Sequence, residues 1–92
     1  MIRLEQSLNT VDDSFSYSVR GEDKPRYIVN ADGRLFTAGK VIGRFRLNED
    51  RWIMELGHTL FMSGPPKGLF KLPEFELKAL TALVNQERPS AL

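Results

Sequence analysis

The sequence predicts an α+β fold in which a small antiparallel β-sheet of five or six short strands packs against one C-terminal α-helix. The first two thirds of the chain consist of short runs in which apolar and polar residues alternate. Glycine, proline and acidic turn residues separate these runs, as is typical of half-buried strands. The last third instead repeats apolar residues at helical spacing. Each pattern leaves one apolar face to bury, so we expect the helix to cover the sheet.

The N-terminal half supplies the first strands. Residues 1–13 alternate imperfectly and are expected to form either a poorly ordered segment or an edge strand, whereas SFSYSV at 14–19 alternates cleanly. RYIVNADGRLFTAG at 26–39 predicts a hairpin, because the pair Asp32-Gly33 between two apolar runs tolerates the positive φ angles of a tight turn.

The segment VIGRFRLNEDRWIMELG at 41–57 predicts a second hairpin. With Glu49 and Asp50 as its two turn residues, large apolar pairs lie on one face and an oppositely charged pair lies on the other. The pairs are Leu47 with Trp52, Phe45 with Met54, and Arg44 with Glu55. A shift of one residue would exchange the two faces, so this agreement favours the register. Because neither turn residue is a glycine, a four-residue loop is the alternative.

A proline-rich loop and a helix complete the predicted fold. After Gly57, which is expected to bend the strand or mark a bulge, residues 58–64 continue the strand pattern. The segment GPPKG at 64–68 is predicted to be irregular, because its prolines lack the N–H group that a strand ladder needs. The helix is expected from about residue 73 to 88, and residues 89–92, which begin with a proline, are expected to form a frayed tail.

The composition excludes most kinds of active site. At 92 residues, the chain is expected to form a single domain over residues 1–92 with one modest core. It has no cysteine and one histidine, His58, which excludes a disulfide, a thiol nucleophile and a cysteine-histidine metal site. It also contains no phosphate-binding loop and no nucleophile motif. We therefore expect a protein that is not an enzyme and that holds no cofactor or metal.

No segment predicts a membrane span or a secretion signal. The chain contains no long uncharged apolar run. The N-terminal stretch MIRLEQSLNTVDD has a polar residue at every second or third position, which does not match the apolar region of a signal peptide. A cytoplasmic location is the resulting expectation.

The charges are distributed unevenly along the chain. Residues 1–23 carry a net charge of −3, residues 24–71 carry +5 and residues 72–92 carry −1. The hairpin face directed away from the core is expected to present Ile42, Arg44, Arg46, Arg51, Ile53 and Glu55. Arginine forms bidentate contacts with carboxylates and phosphates, so this basic region is the candidate partner-binding site. The candidate partner-binding residues are Arg34, Lys40, Arg44, Arg46, Arg51, Lys67 and Lys71.

Three functions are compatible with these features. The first is a non-enzymatic binding module in which the basic hairpin face holds an acidic protein or nucleoprotein surface. Phages and mobile elements encode inhibitors of this kind against host nucleoprotein complexes, as anti-CRISPR and anti-restriction proteins do. The second is direct DNA or RNA binding through the same face. Two features argue against it: Glu55 interrupts the arginines, and the pI of 8.1 is below the value of about 9 typical of DNA-binding domains. The third is a homo-oligomeric structural protein joined through its C-terminal helix. We expect no membrane partner, and a monomer or a homodimer.

Overall fold

The computed structural model describes residues 1–87 and shows one antiparallel sheet of seven strands followed by one helix. The elements are β1 (Leu4–Asn9), β2 (Ser14–Val19), β3 (Tyr27–Val29), β4 (Arg34–Thr37), β5 (Lys40–Asn48), β6 (Arg51–Leu56), β7 (Thr59–Pro66) and α1 (Leu72–Glu87). The strands pair in chain order, so every connection joins neighbours. The α+β class is confirmed, although the sheet has seven strands rather than five or six. The expected tail at 89–92 lies outside the described residues.

The additional strand arises at Gly57. The sequence pattern predicts that the strand continues through this position, and that prediction is wrong. Gly57 has a φ of +61° and forms a tight turn with His58, so that Thr59 pairs with Leu56 on a returning strand. Glycine adopts this left-handed conformation without the steric cost that a Cβ atom brings. The apolar pattern is the same on both sides of such a turn, which is why alternation alone does not reveal it.

Strand β7 also contains residues that we predicted to be irregular. Its last three residues are Gly64, Pro65 and Pro66, and Pro66 pairs with Arg51. β7 is the last strand of the sheet, and an edge strand tolerates proline because the missing N–H group can face away from the ladder. The register of the pairing with β6 shifts near these residues, which is consistent with a local bulge.

The predicted register of the β5–β6 hairpin is confirmed. Asn48 lies opposite Arg51, and the three pairs predicted from the sequence all form. The turn has two residues, and Glu49 adopts a φ of +60° although it is not a glycine. Phe45 and Met54 are buried against the helix, so the apolar face of this hairpin is the inner one.

Two residues that we expected on the exposed face of the hairpin are not exposed. Ile42 packs against the core, because the pairing of β4 with β5 shifts between Leu35 and Phe36 and leaves Ile42 as an extra residue on β5. Ile53 lies on the outer side by register but is buried. Its directly opposed neighbours, Arg46 and Ser63, flank it on both sides.

The core forms between the sheet and α1. The helix contacts β1 and β2 at one end of the sheet and β6 near the other. Buried residues come from the sheet (Leu4, Tyr17, Tyr27, Val29, Leu35, Phe45, Met54) and from the helix (Phe75, Ala79, Leu80, Leu83, Val84). The rings of Phe45 and Phe75 meet edge to face with their centres 5.9 Å apart. The helix therefore closes the open side of the whole sheet.

Polar contacts fix both ends of α1. At its start, the backbone N–H of Phe75 donates to the Lys71 carbonyl at 3.1 Å. Near its end, the Asn85 side chain accepts from the Ile2 N–H at 2.8 Å and donates to the Ile2 carbonyl at 2.9 Å. These two bonds hold the residues before β1 against the helix. Both backbone groups of Ile2 are thereby satisfied without a neighbouring strand.

Gly43 provides a test of how closely β5 and β6 approach. A Cβ atom at this position would lie 2.0 Å from the Glu55 carbonyl oxygen, whereas a Cβ atom at Gly68 would meet nothing within 4 Å. We expect Gly43→Ala to lower the free energy of unfolding by about 3 kcal/mol or more, since the contact is with backbone that cannot move aside. Gly68→Ala should change it by less than about 1 kcal/mol. Urea denaturation of the two variants makes the comparison, and equal stabilities would contradict so close an approach of the two strands.

Candidate functional site

The sheet has one face that α1 does not cover, which we call the outer face. Residues directly opposite each other on neighbouring strands form rows across it. One row, here the arginine row, runs from Arg34 through Arg44 and Glu55 to Leu60. Arg46 and Arg51 follow on the same face, two and four register positions farther along the β5–β6 pair. Antiparallel pairing thus brings Arg34, Arg44 and Arg46 together from two strands, whereas Arg51 lies near the turn of the hairpin.

Glu55 organises two of these arginines. Arg46 donates to its carboxylate twice, from Nε at 2.7 Å and from Nη2 at 3.2 Å, and Arg44 donates from Nε at 3.2 Å. The hydrogen bonds from Arg46 and then Arg44 lower the pKa of Glu55 to about 2, so the carboxylate stays ionised under physiological conditions. The bond to Glu55 also raises the pKa of Arg46. Arg46 is therefore bound in bidentate fashion within the chain, and Arg44 is only partly engaged.

Arg34 completes the arginine row and has no such partner. Within residues 1–87, its guanidinium makes no hydrogen bond or ion pair, and it lies directly opposite Arg44. Like charges in directly opposed positions destabilise a sheet. A cavity of about 470 Å³ opens beside the two side chains and is lined by Arg34, Val41, Ile42, Gly43, Arg44 and Gly57. An anion bound there would offset the repulsion between the two guanidinium groups, of which only that of Arg44 has an ionic partner, Glu55, within residues 1–87.

An apolar row lies next to the arginine row on the outer face. Ile28, Phe36 and Val41 are directly opposed on β3, β4 and β5, and Ile28 and Val41 are 40% and 54% exposed. Ile28 and Phe36 also line a larger cavity of about 740 Å³, together with Lys24 and residues of the neighbouring loops. This row is not among the residues predicted from the sequence. The signal was present, since both YIV and RLFT carry large apolar residues at adjacent positions and therefore on both faces.

The remaining candidate residues lie apart from the arginine row. Lys40 begins β5 beside Thr37, on the far side of the bulge. Lys67 and Lys71 lie between β7 and α1, and the Lys67 N–H donates to the Asp50 carbonyl at the opposite end of the hairpin. Arg51 lies at that end too, where its Nη1 donates to the Gly64 carbonyl at 3.2 Å. The seven candidates thus form one group around Glu55 and outlying cations at both ends of β5.

A buried polar cluster on the helix side was not predicted as a site. Glu76 is only 3% exposed, and its Oε1 accepts a hydrogen bond from the Tyr17 hydroxyl at 2.5 Å. Gln6 donates from Nε2 to the Tyr17 oxygen at 2.9 Å and to the Pro73 carbonyl at 2.8 Å. From the sequence, Glu76 is expected only to suit the N-terminus of the helix, where the dipole favours negative charge. Its spacing from Ala79, Leu80 and Leu83 nevertheless places it in the buried stripe.

Burial sets the protonation of this cluster. It raises the pKa of Glu76 to about 7, because the charged carboxylate loses solvent, and the hydrogen bond from Tyr17 offsets only part of that effect. Burial and the neighbouring carboxylate also raise the pKa of Tyr17, so its hydroxyl remains a donor. Tyr17 and Glu76 are buried between helix and sheet and link the two, whereas Gln6 at the border of the cluster is exposed.

The described part of the chain offers no other chemical centre. It contains no group of three or more histidine, cysteine, aspartate or glutamate side chains placed to hold a metal ion. His58 is an exposed turn residue. None of the helices in residues 1–87 has the length and apolar character needed to cross a membrane.

Comparisons of the chain with protein-family models, curated proteins and solved structures found no match.

The raised pKa of Glu76 predicts that the stability of the fold depends on pH. Below pH 4.5, its usual pKa, the carboxyl is protonated in both the folded and unfolded chains; above about pH 7 it is ionised in both. In between, the folded chain holds the proton more tightly, so stability falls as the pH rises. We expect this group to contribute a loss of about 3 kcal/mol across that interval. In Glu76→Gln, the corresponding slope should disappear.

Urea denaturation of wild type and Glu76→Gln from pH 4.5 to pH 8 measures this difference. The variant retains an oxygen that accepts from Tyr17 but cannot titrate, so subtracting its curve removes the contributions of other groups. Parallel curves for the two proteins would show that Glu76 titrates normally.

Proposed function

We propose that this protein is a non-enzymatic binding domain whose outer face holds an acidic surface of a protein or nucleoprotein complex. The single observation that carries the proposal is the directly opposed pair of Arg34 and Arg44, of which Arg34 is unpaired within residues 1–87. A fold that needed these side chains only for solubility would gain nothing from placing them opposite each other. A partner that supplies carboxylates or phosphates between them gains charge-assisted hydrogen bonds in a fixed geometry.

Glu55 supports this proposal by holding the arginines in place. A side chain that is already fixed loses less conformational entropy when a partner binds. The bidentate bond to Arg46 and the single bond to Arg44 leave the outer nitrogens of Arg44 available, while Arg46 serves to position Glu55. In the proposed contact, Arg34 and Arg44 are therefore the primary donors. Arg46 contributes indirectly, because it holds Glu55, which in turn holds Arg44.

More specifically, we propose an inhibitor of the anti-CRISPR or anti-restriction kind, encoded by a phage or mobile element, that occupies a site on a host nucleoprotein complex. This finer proposal is supported by the small size of the chain, its lack of cysteine and the uneven charge along it. Such an inhibitor would compete through its arginines for acidic groups on the complex. Joining of copies through α1 has less support, because Phe75, Leu80, Leu83 and Val84 are already buried within one chain.

A charge-reversal experiment tests the contact surface. We expect Arg34→Glu/Arg44→Glu to abolish co-purification of the partner complex from the source cell, because two attractive contacts become repulsive. The matched control is Arg20→Glu/Lys78→Glu, which changes the net charge equally at an exposed turn and on the exposed side of α1. The control should retain the complex. Circular dichroism and urea denaturation establish that all three proteins are folded.

Equal capture by the two double variants would refute the proposed surface. The same proteins are also tested by fluorescence anisotropy against labelled duplex and single-stranded oligonucleotides. Affinity for these probes that falls steeply with salt and is lost only in the Arg34/Arg44 variant would assign direct nucleic-acid binding instead. In the protein-directed case, no oligonucleotide binds appreciably at moderate salt.

A further inference from the structure

We infer that the occupant of the outer face is an extended segment of a partner protein in which acidic residues flank a large apolar side chain. The inference rests on the proposed function and specifies the chemistry of the partner. Its carboxylates would lie on Arg34 and Arg44, and its apolar side chain would cover the row of Ile28, Phe36 and Val41.

The first argument is the geometry of the two rows. Arg34 and Phe36 are two residues apart on β4 and so project from the same face, about 7 Å from each other along the strand. That distance is also the separation of alternate side chains on an extended peptide. On β5, the bulge at Ile42 keeps Val41 and Arg44 on this face although they are three positions apart in the chain. An extended peptide segment can therefore contact both rows at once, because its side chains at positions i and i+2 project from one side and have the same spacing.

The second argument concerns the apolar row itself. Ile28 and Val41 are 40% and 54% exposed, and Phe36, directly between them, is partly exposed. Three adjacent apolar residues on an uncovered sheet face form a patch that gains from burial under another apolar group. Ile28 and Val41 provide neither hydrogen bonds nor a stacking surface for a nucleotide base, and the ring of Phe36 between them is only partly exposed. Their position beside the arginines thus favours a peptide over a nucleic acid.

The third argument is the charge around the larger cavity, which the apolar row helps to line. Lys24 lies on its border, on the loop that precedes β3, so that positive charge is present beyond the apolar row as well as at Arg34. Asp12 also lines the cavity, and two hydrogen bonds from Ser14 lower the pKa of Asp12 and keep its carboxylate ionised, so an acidic residue of the partner has to lie on the Lys24 side. Acidic residues on both sides of a central apolar side chain complement this arrangement.

Titration of the ¹⁵N-labelled full chain with defined probes tests this inference. The probes are a short synthetic peptide with glutamates on either side of one leucine, the same peptide with serine in place of leucine, and a single-stranded oligothymidine of equal charge. We expect the leucine peptide to bind about tenfold more tightly than the serine peptide, since burial of one leucine contributes an effect of this order. Amide shifts should concentrate on β3, β4 and β5.

Two variants locate the apolar contact. Val41→Thr keeps a β-branched residue on the strand but makes it polar, and it should remove most of the preference for leucine. The control is Leu8→Thr, which changes a residue of similar exposure, 50%, on β1 and outside both rows. This control should leave the preference intact.

Several results would overturn the inference. Equal affinity for the leucine and serine peptides, with binding still lost in Arg34→Glu/Arg44→Glu, would reject the apolar contact while leaving the proposed arginine surface in place. Tighter binding of oligothymidine than of either peptide would assign the face to nucleic acid. Absence of peptide binding would reject this occupant, and the capture experiment would then decide separately whether the arginine surface binds a partner.

Discussion

The structure depends on the packing of one helix against strands at both ends of one sheet. Strands pair only with their neighbours in the chain, yet α1 contacts β1 and β2 at one end and β6 near the other. Strands at both ends of a seven-stranded sheet can contact a single helix only if the sheet curves around that helix. The pairing register shifts once between β4 and β5 and twice between β6 and β7, and bulges of this kind bend a strand. The large apolar residues of α1 that the structure describes pack in or against the core. The opposite face of the sheet is not covered by the helix.

Two glutamates illustrate how the two faces differ. Glu76 is enclosed with Tyr17 on the helix side, and the loss of solvent raises its pKa to about 7. Glu55 lies on the outer face between Arg44 and Arg46, and their hydrogen bonds lower its pKa to about 2. Glu76 thus links helix and sheet in the interior, whereas Glu55 is a fixed anionic group on the surface. Charge is kept on the face that remains in contact with solvent.

The outer face is not an ordinary solvated surface. Its arginine row carries more positive charge than Glu55 neutralises, and its apolar row is not covered by any described element. Proteins normally avoid directly opposed like charges and contiguous exposed apolar residues unless a ligand compensates for them. The two features are adjacent, and both arise from the pairing of β3, β4 and β5. This combination is the physical basis of the binding role that we propose for the face.

Local patterns in the sequence predict the hairpin register around Glu49-Asp50, the C-terminal helix, and the placement of Arg44 and Phe45 on opposite faces of the sheet. Alternation, opposed side-chain pairs and helical spacing are enough for these features. Which basic residues meet, that the chain reverses at Gly57 and that Ile42 packs against the core follow only from pairing between strands. Arg34 and Arg44 are ten positions apart in the chain and become opposed through pairing across a bulge, which no local pattern encodes. Likewise, the partner of Glu76 lies on a strand 59 residues away, and contacts at that range depend on how the whole sheet curves around the helix.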